Sequence, residues 1–302
     1  MKNEKRALVL GLAAVLLWST VAVAFKLTLQ EFTPIQMLTV ASFVSAIVLT
    51  AICYMQGKLN QLGATFFSNP LNYLILGLIN PLAYYLILFK AYDLLPASQA
   101  QPLNYSWAIT LTLMAALFLG QKIRKQDWIA CALGYAGVIV IATKGDLLAL
   151  DFDSPLGVIL ALLSTLLWAG YWILNAKNKA DPVVGVLLGF IVALPFAVAL
   201  SIYEGAIWEQ SFQGWLAVTY VGLFEMGITF MLWLSALKAT DNTARISNLI
   251  FISPFISLLL LAYIIGETIP PSTLIGLVMI VSGLIFQQVM KPSNIDIKTC
   301  KQ

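Results

Sequence analysis

The sequence predicts an all-α membrane protein, with ten transmembrane helices arranged as two inverted five-helix repeats. Three observations carry that prediction. The 302 residues are 60% hydrophobic and only 10% charged, with a mean hydropathy of +0.89, whereas an ordinary soluble domain is about a quarter charged. Apolar runs of the length that crosses a hydrocarbon core about 30 Å thick, at about 1.5 Å of rise per residue, recur along the chain. The two halves also resemble one another at a nearly constant spacing.

The runs fall near residues 7–29, 34–55, 71–92, 97–119, 127–143, 155–175, 183–203, 214–236, 242–265 and 272–290. They are continuously apolar rather than alternating, which selects helices over a β-barrel. Pro34, Pro96, Pro155, Pro182 and the pair Pro270-Pro271 suit helix starts. The polar stretches 56–70 and 144–154 are loop-sized, and the tail from Lys291 is polar. No stretch offers room for a soluble domain.

The first run has the basic start and apolar core of a signal peptide, but internal similarity argues that it is kept. Leu16-Leu17-Trp18 recurs as Leu166-Leu167-Trp168. Gly120, Ile123 and Gly137 align with Gly266, Ile269 and Gly283 at one offset of 146, and Ala91 aligns with Ala236 at 145. The halves are therefore read as residues 1–148 and 149–302. Five helices per half is odd, so the second half lies upside down relative to the first, the plan of carriers that expose one midplane site to each face in turn.

Positive charge sets the orientation. With the N-terminus inside, 13 of the 17 Lys and Arg residues fall in inside segments, against Lys26, Lys90 and Lys144 outside and Arg245 within a span. The basic segment Gly120–Gln126 is inside, whereas its counterpart Gly266–Ser272 has no Lys or Arg. This predicts a multi-pass protein of the cytoplasmic (inner) membrane with both termini cytoplasmic. The net charge of +3 follows from that topology, so no nucleic-acid partner is expected.

The chain has no histidine, which excludes His-based triads, His metal sites and histidine proton relays. It also lacks a Walker glycine loop, and its three cysteines suggest no disulfide framework. No enzyme activity, cofactor or metal is expected. The expected partners are a small-molecule substrate and the lipid bilayer, and nothing in the sequence speaks to oligomeric state.

The tryptophan in the first span of each half, Leu232-Trp233-Leu234-Ser235-Ala236-Leu237-Lys238 ending the eighth span, and Gly266-Glu267 after the ninth resemble the EamA family of the drug/metabolite transporter superfamily. The resemblance covers essentially the whole chain. It implies carriage of small metabolites, commonly amino acids or related compounds, without ATP hydrolysis. The first half departs from the pattern, with Gly120-Gln121 where the family has Gly-Glu, so symmetry assigns Glu267 no role.

Glu225 is the twelfth of the 23 residues Gly214–Ala236, which places it at the midplane, about 17 Å from either end. A carboxylate there normally faces a cavity and has a partner or a task. Regular α-helical spacing would put Gly222, Thr229 and Trp233 on its face. At the offset of 145 its counterpart is Asn80, next to Pro81, which can loosen the helix, and on the face of Gly77 and Tyr84. Glu225 is read either as a proton- and substrate-binding group or as a neutral hydrogen-bonding link between helices.

Other polar residues gather in the fourth and ninth spans: Gln99, Gln101 and Asn104, and Asn242, Arg245 and Asn248. Arg245 either snorkels to the interface and pairs with Asp241, or meets a substrate carboxylate as a bidentate donor. Lys26 and Lys90 sit near outer helix ends, where snorkelling accounts for them. Trp18 and Trp168 fall mid-span, where no interfacial belt places them. Ser164, Trp168, Trp172 and Asn175 make a stripe that is either core packing or a pocket wall for an aromatic or cationic substrate.

The expected function is that of a secondary active transporter, an exporter of small polar metabolites such as amino acids and related zwitterions, by alternating access and with proton coupling through Glu225. Two alternatives stay open, a carrier of organic cations or quaternary amines and a non-transport scaffold or receptor. The expected substrate-binding set is Glu225, Arg245, Asn80, Trp18, Trp168, Tyr84, Thr229, Trp233, Asn104, Asn248 and Trp172.

Overall fold

The structure, a computed structural model, describes residues 3–120, 125–146, 153–175, 178, 180–240, 246 and 248–289. Among the described residues there is no strand, and the regular secondary structure is helical. In order these are α1 (Glu4–Leu29), α2 (Pro34–Met55), α3 (Gln61–Ser68), α4 (Pro70–Gly77), α5 (Tyr84–Leu94), α6 (Ala97–Tyr105), α7 (Trp107–Leu119), α8 (Lys125–Ala142), α9 (Pro155–Asn175), α10 (Pro182–Tyr203), α11 (Phe212–Tyr220), α12 (Ile228–Ala239), α13 (Ser253–Leu260) and α14 (Pro271–Val289). Taken with their continuations, seven helices among the described residues are long and apolar enough to cross a membrane, and two shorter apolar helices cover Leu249–Ile265 and Pro271–Gln287. The protein is a multi-pass membrane protein.

Local chemistry starts the helices where the prolines suggest. Thr33 and Gln36 form a capping box ahead of Pro34, at 3.4 and 2.8 Å, which pairs two of the donors that a helix start leaves open. Asp181 caps α10 by accepting the Val183 N–H at 3.0 Å, with Pro182 in the first position. Ser211 caps α11 through the Gly214 N–H.

Several spans are broken partway along. Between α4 and α5, residues Leu78–Ala83 form a π-helical segment in which Asn80 is extended (φ −142°, ψ 117°). Pro81 explains it, since proline has no N–H and its ring crowds the preceding turn. Between α11 and α12, residues Val221–Glu225 are again π-helical and Gly227 leaves helical geometry (φ −115°, ψ −93°). Within the ninth run, Asn248–Ile252 form a 3₁₀ turn and Leu261–Ile265 a π segment.

One polar stretch read as a loop contains α3. Leu62 and Phe66, four apart on one helical face, pack against the core, and Phe66 meets the Tyr73 ring at 6.5 Å. That short amphipathic pattern was masked by its polar flanks.

The halves of the chain are interlaced. α1 packs on α12 and α13, while α9 packs on α5 and α7. α2 pairs with α10 and α8 with α14. The last pair runs antiparallel with backbones touching: a Cβ on Gly137 or on Gly276 would stand 2.5 Å from the other's carbonyl oxygen, and one on Gly283 would stand 2.9 Å from that of Ala130. Only glycine permits that approach, which is how helices gain dispersion contact where lipid supplies no hydrophobic drive.

Candidate substrate site

The two breaks place Asn80, between α4 and α5, and Glu225, between α11 and α12, among neighbouring helices. Glu225 ends the π segment of the eighth span, is enclosed by protein, and still keeps accessible surface. The Tyr85 hydroxyl donates to its Oε1 at 3.1 Å. The Asn80 Oδ1 is buried without a hydrogen-bond partner among the described residues, and the Tyr171 hydroxyl lies beside the same side chain. A buried amide oxygen left unpaired costs about 1–3 kcal/mol, so such an atom is suited to a ligand donor.

Aromatic rings from five spans surround this region. Trp168 of α9 contacts Tyr84 at 4.6 Å, Tyr171 and Trp172 at 5.9 Å each, Trp107 at 6.3 Å and Phe230 at 6.5 Å. Trp18 of α1 meets Phe230 at 5.8 Å and Trp233 at 5.5 Å. Phe230 thus bridges the two tryptophans that mark the start of each half. Trp18, Trp168 and Phe230 are each half-buried, and each touches rings from another helix. Beside this cluster, Asn104 donates to Ser164 at 2.9 Å and accepts from the Tyr84 hydroxyl at 3.5 Å, tying the third, fourth and sixth spans together. An offset carboxylate and stacked ring faces can hold an ammonium group by charge and cation–π attraction and a flat side chain by stacking.

A family model described as the EamA-like transporter family matches residues 5–143 and again residues 155–287. The chain belongs to the EamA-like transporter family. This EamA-like protein is 26% identical over 285 residues to an aromatic amino acid exporter, YddG, of Ancylobacter novellus, covering 93% of this chain and 96% of that one. It is 24% identical over 279 residues to an uncharacterized inner membrane transporter, YedA, of Escherichia coli, with 90% and 87% covered. A solved crystal structure with 21% sequence identity superposes with a TM-score of 0.67, over 96% of this chain and 100% of the other, which shows a shared fold.

Of the residues expected in an EamA-like site, the structure gathers Tyr84, Trp168 and Asn104 in one contact network, Trp18 and Trp233 in an adjoining one, and Glu225 beside Tyr85. Trp172 touches Trp168 but is 37% exposed, at the rim of the cluster. Thr229 is fully buried, and its hydroxyl has no hydrogen-bond partner among the described residues. The face drawn through Gly222, Glu225, Thr229 and Trp233 assumed regular α-helix, and the π segment and the break at Gly227 change the phase between them. Gly222 turns to α2 instead, its carbonyl accepting from Ser45 at 2.9 Å. Arg245 lies outside the described residues, as does the side chain of Asn248, whose backbone opens the 3₁₀ turn. Asn242 also lies outside the described residues, so the expected common face of Asn242, Arg245 and Asn248 does too. Sequence reasoning missed Tyr85 and Phe230. The signal was present: at the offset of 145 that pairs Asn80 with Glu225, Tyr85 pairs with Phe230.

Proposed function

We propose that this EamA-like transporter is a secondary active carrier of zwitterionic amino acids, favouring those with aromatic side chains, and that it exports them by proton-coupled alternating access. The observation that carries the reading is Glu225 set in the interior beside a wall built on Trp168, Tyr84, Phe230 and Trp18. The carboxylate takes the substrate ammonium or a proton, never both together, which is the exchange a coupled carrier needs. The rings take the side chain. The name of the Ancylobacter relative agrees with this substrate class.

Residues 1–148 and 149–302 are the two repeats, ten spans in all, with both termini cytoplasmic. The antiparallel pairing of α8 with α14, the interlaced packing and the twofold match of the family model support an inverted arrangement, in which the halves rock about the midplane site. Asn80, Asn104, Trp233 and Trp172 complete the lining, Thr229 supports it from behind, and the substrate carboxylate is assigned to Arg245 and Asn248.

A second reading, a carrier of organic cations, is favoured by one specific observation: among the described residues the hydrogen bond to Glu225 comes from a neutral group, the Tyr85 hydroxyl. Both are tested by reconstituting the purified protein in proteoliposomes and measuring counterflow of labelled phenylalanine, tryptophan and a quaternary ammonium compound. Accumulation of the amino acids, and not of the quaternary amine, is expected. The reverse result replaces the first reading with the second, and no movement of any solute overturns both.

A further inference from the structure

The junction of α5 and α6, Leu95 with the first turn of α6, is buried, although junctions between helices normally lie at the surface. Leu95, Ala97, Ser98 and Gln99 are each at most 2% exposed. They are covered by residues from three other parts of the chain. Lys26, in the last turn of α1, places its Nζ 2.7 Å from the Tyr92 carbonyl oxygen and 2.7 Å from that of Leu95. These acceptors belong to the C-terminus of α5, which leaves its last carbonyls open, and Pro96 has no N–H to offer Tyr92. Glu267 accepts the Ala97 N–H on one oxygen and the Ser98 N–H on the other, both at 2.8 Å. Those are open donors of the first turn of α6.

Each charge therefore sits at the helix end whose dipole attracts it, positive at the end of α5 and negative at the start of α6. Gly266 makes the second contact reachable: its left-handed backbone (φ 76°) turns the chain so that Glu267 points back at the bundle. The first turn of α9 closes the remaining side. A Cβ on Gly157 would stand 2.6 Å from Leu95 Cγ, and the Gln99 Nε2 donates to Asp153 at 2.5 Å. Asp153 is in turn ion-paired with Lys144.

We propose that the 94–98 turn is the gate at this end of the bundle, that Lys26 and Glu267 are its latch, and that the structure is the state closed here. The inference rests on the carrier reading, because a gate presupposes a path. The turn cannot leave its seat without stripping partners from both helix ends, so opening requires water to replace Lys26 and Glu267 together. Both latch groups are long side chains bonded to backbone, so they can release and regrip without any helix changing register. The Gly-Glu pair after the ninth span thereby acquires a mechanical role that symmetry with the first half does not supply.

Thiol accessibility tests this independently of transport. Cys53, Cys131 and Cys300 are replaced by alanine, and Ser98→Cys, a near-isosteric change at a buried hydroxyl with no described partner, provides the probe. In detergent, labelling by a polar maleimide should be slow, and adding Glu267→Gln or Lys26→Met should speed it at least tenfold while the protein still elutes as a single folded species. Rates within twofold of the parent in both variants would overturn the latch, as would a parent that already labels as fast as a free thiol. Should either variant fail to elute as a folded species, the decision passes to Glu267→Asp, which keeps the charge but shortens the reach: an intermediate rate supports the latch and a parental rate opposes it. Faster labelling in a protein that moves no solute in proteoliposomes would keep the latch as a conformational device and remove the carrier reading.

Discussion

In the proposed carrier, Glu225 is the residue on which the mechanism turns. Replacing it by glutamine keeps the shape and the Tyr85 contact but removes the charge, so Glu225→Gln should flatten the pH dependence of initial transport rates in proteoliposomes and impair net movement of amino acids. An unchanged profile would leave the carboxyl as a neutral link between helices. Trp168 makes five ring contacts, and aromatic pairs contribute about 0.5–1.5 kcal/mol each beyond buried area. Trp168→Ala should therefore weaken substrate binding about tenfold or more, with Trp168→Phe restoring most of it. Equal losses in melting temperature for the two variants, without a difference in binding, would assign the ring to packing alone. These residues were legible because each is conspicuous: an acid in an apolar run, or a tryptophan away from the interface. Tyr85 and Phe230 were not, since one more aromatic in a membrane helix stands out from nothing, and only the repeat offset marks them.

Single helices show the same division between what pattern reveals and what packing decides. The break in the third span is announced by Pro81. Its partner in the eighth has no proline, and its π segment arises where Gly222 must lie against α2, so no local rule foretold it. Glycines likewise read alike in sequence and differ in consequence. Gly276→Ala should destabilise the protein by roughly 1–3 kcal/mol or more, because the new methyl meets the Gly137 carbonyl. Gly63→Ala in α3, where nothing lies within 4 Å of the added Cβ, should instead stabilise by about 0.5–1 kcal/mol. Thermal unfolding in detergent measures both. Charge at a helix end gives a third test. Lys58 and Asp181 pair at 2.7 Å, joining the segment before α3 to the cap of α10. Partial burial alone would raise the Asp181 carboxyl, but hydrogen bonds from Lys58 and from the Val183 and Val184 N–H groups outweigh it and hold it below the usual carboxylate range. A depressed carboxyl contributes stability above the ordinary carboxylate range and loses it as pH falls through the lowered value. Melting temperature should thus fall more steeply between pH 6 and pH 3 in the parent than in Asp181→Asn, and parallel curves would dismiss the pair as a stabiliser.

At the scale of the molecule, the ordering of apolar runs and the repeat spacing were readable, because hydropathy is a property of each segment alone. Which helix packs on which was not, because every helix offers lipid-compatible surface on all sides and the choice is made by small residues and interior polar groups. That choice has a measurable result. Because α1 packs on α12 and α13 and α9 on α5 and α7, residues 1–148 expressed alone should give no species resistant to protease, whereas the two halves expressed together as separate chains should assemble and melt cooperatively. A protease-resistant first half would contradict the interlacing. The same packing sets a timetable for synthesis. α1 is complete at Leu29, but α12 begins only at Ile228, so at about 5–20 residues per second the first helix waits roughly ten to forty seconds for its neighbour to leave the ribosome. Throughout that interval Ser19 and Thr20, which later bond to Ser253 and Tyr220, face lipid or an insertase. A newborn chain of this kind is therefore vulnerable to quality-control proteases for most of its translation, and slowing elongation downstream of residue 29 should lower its yield more than slowing it after residue 260.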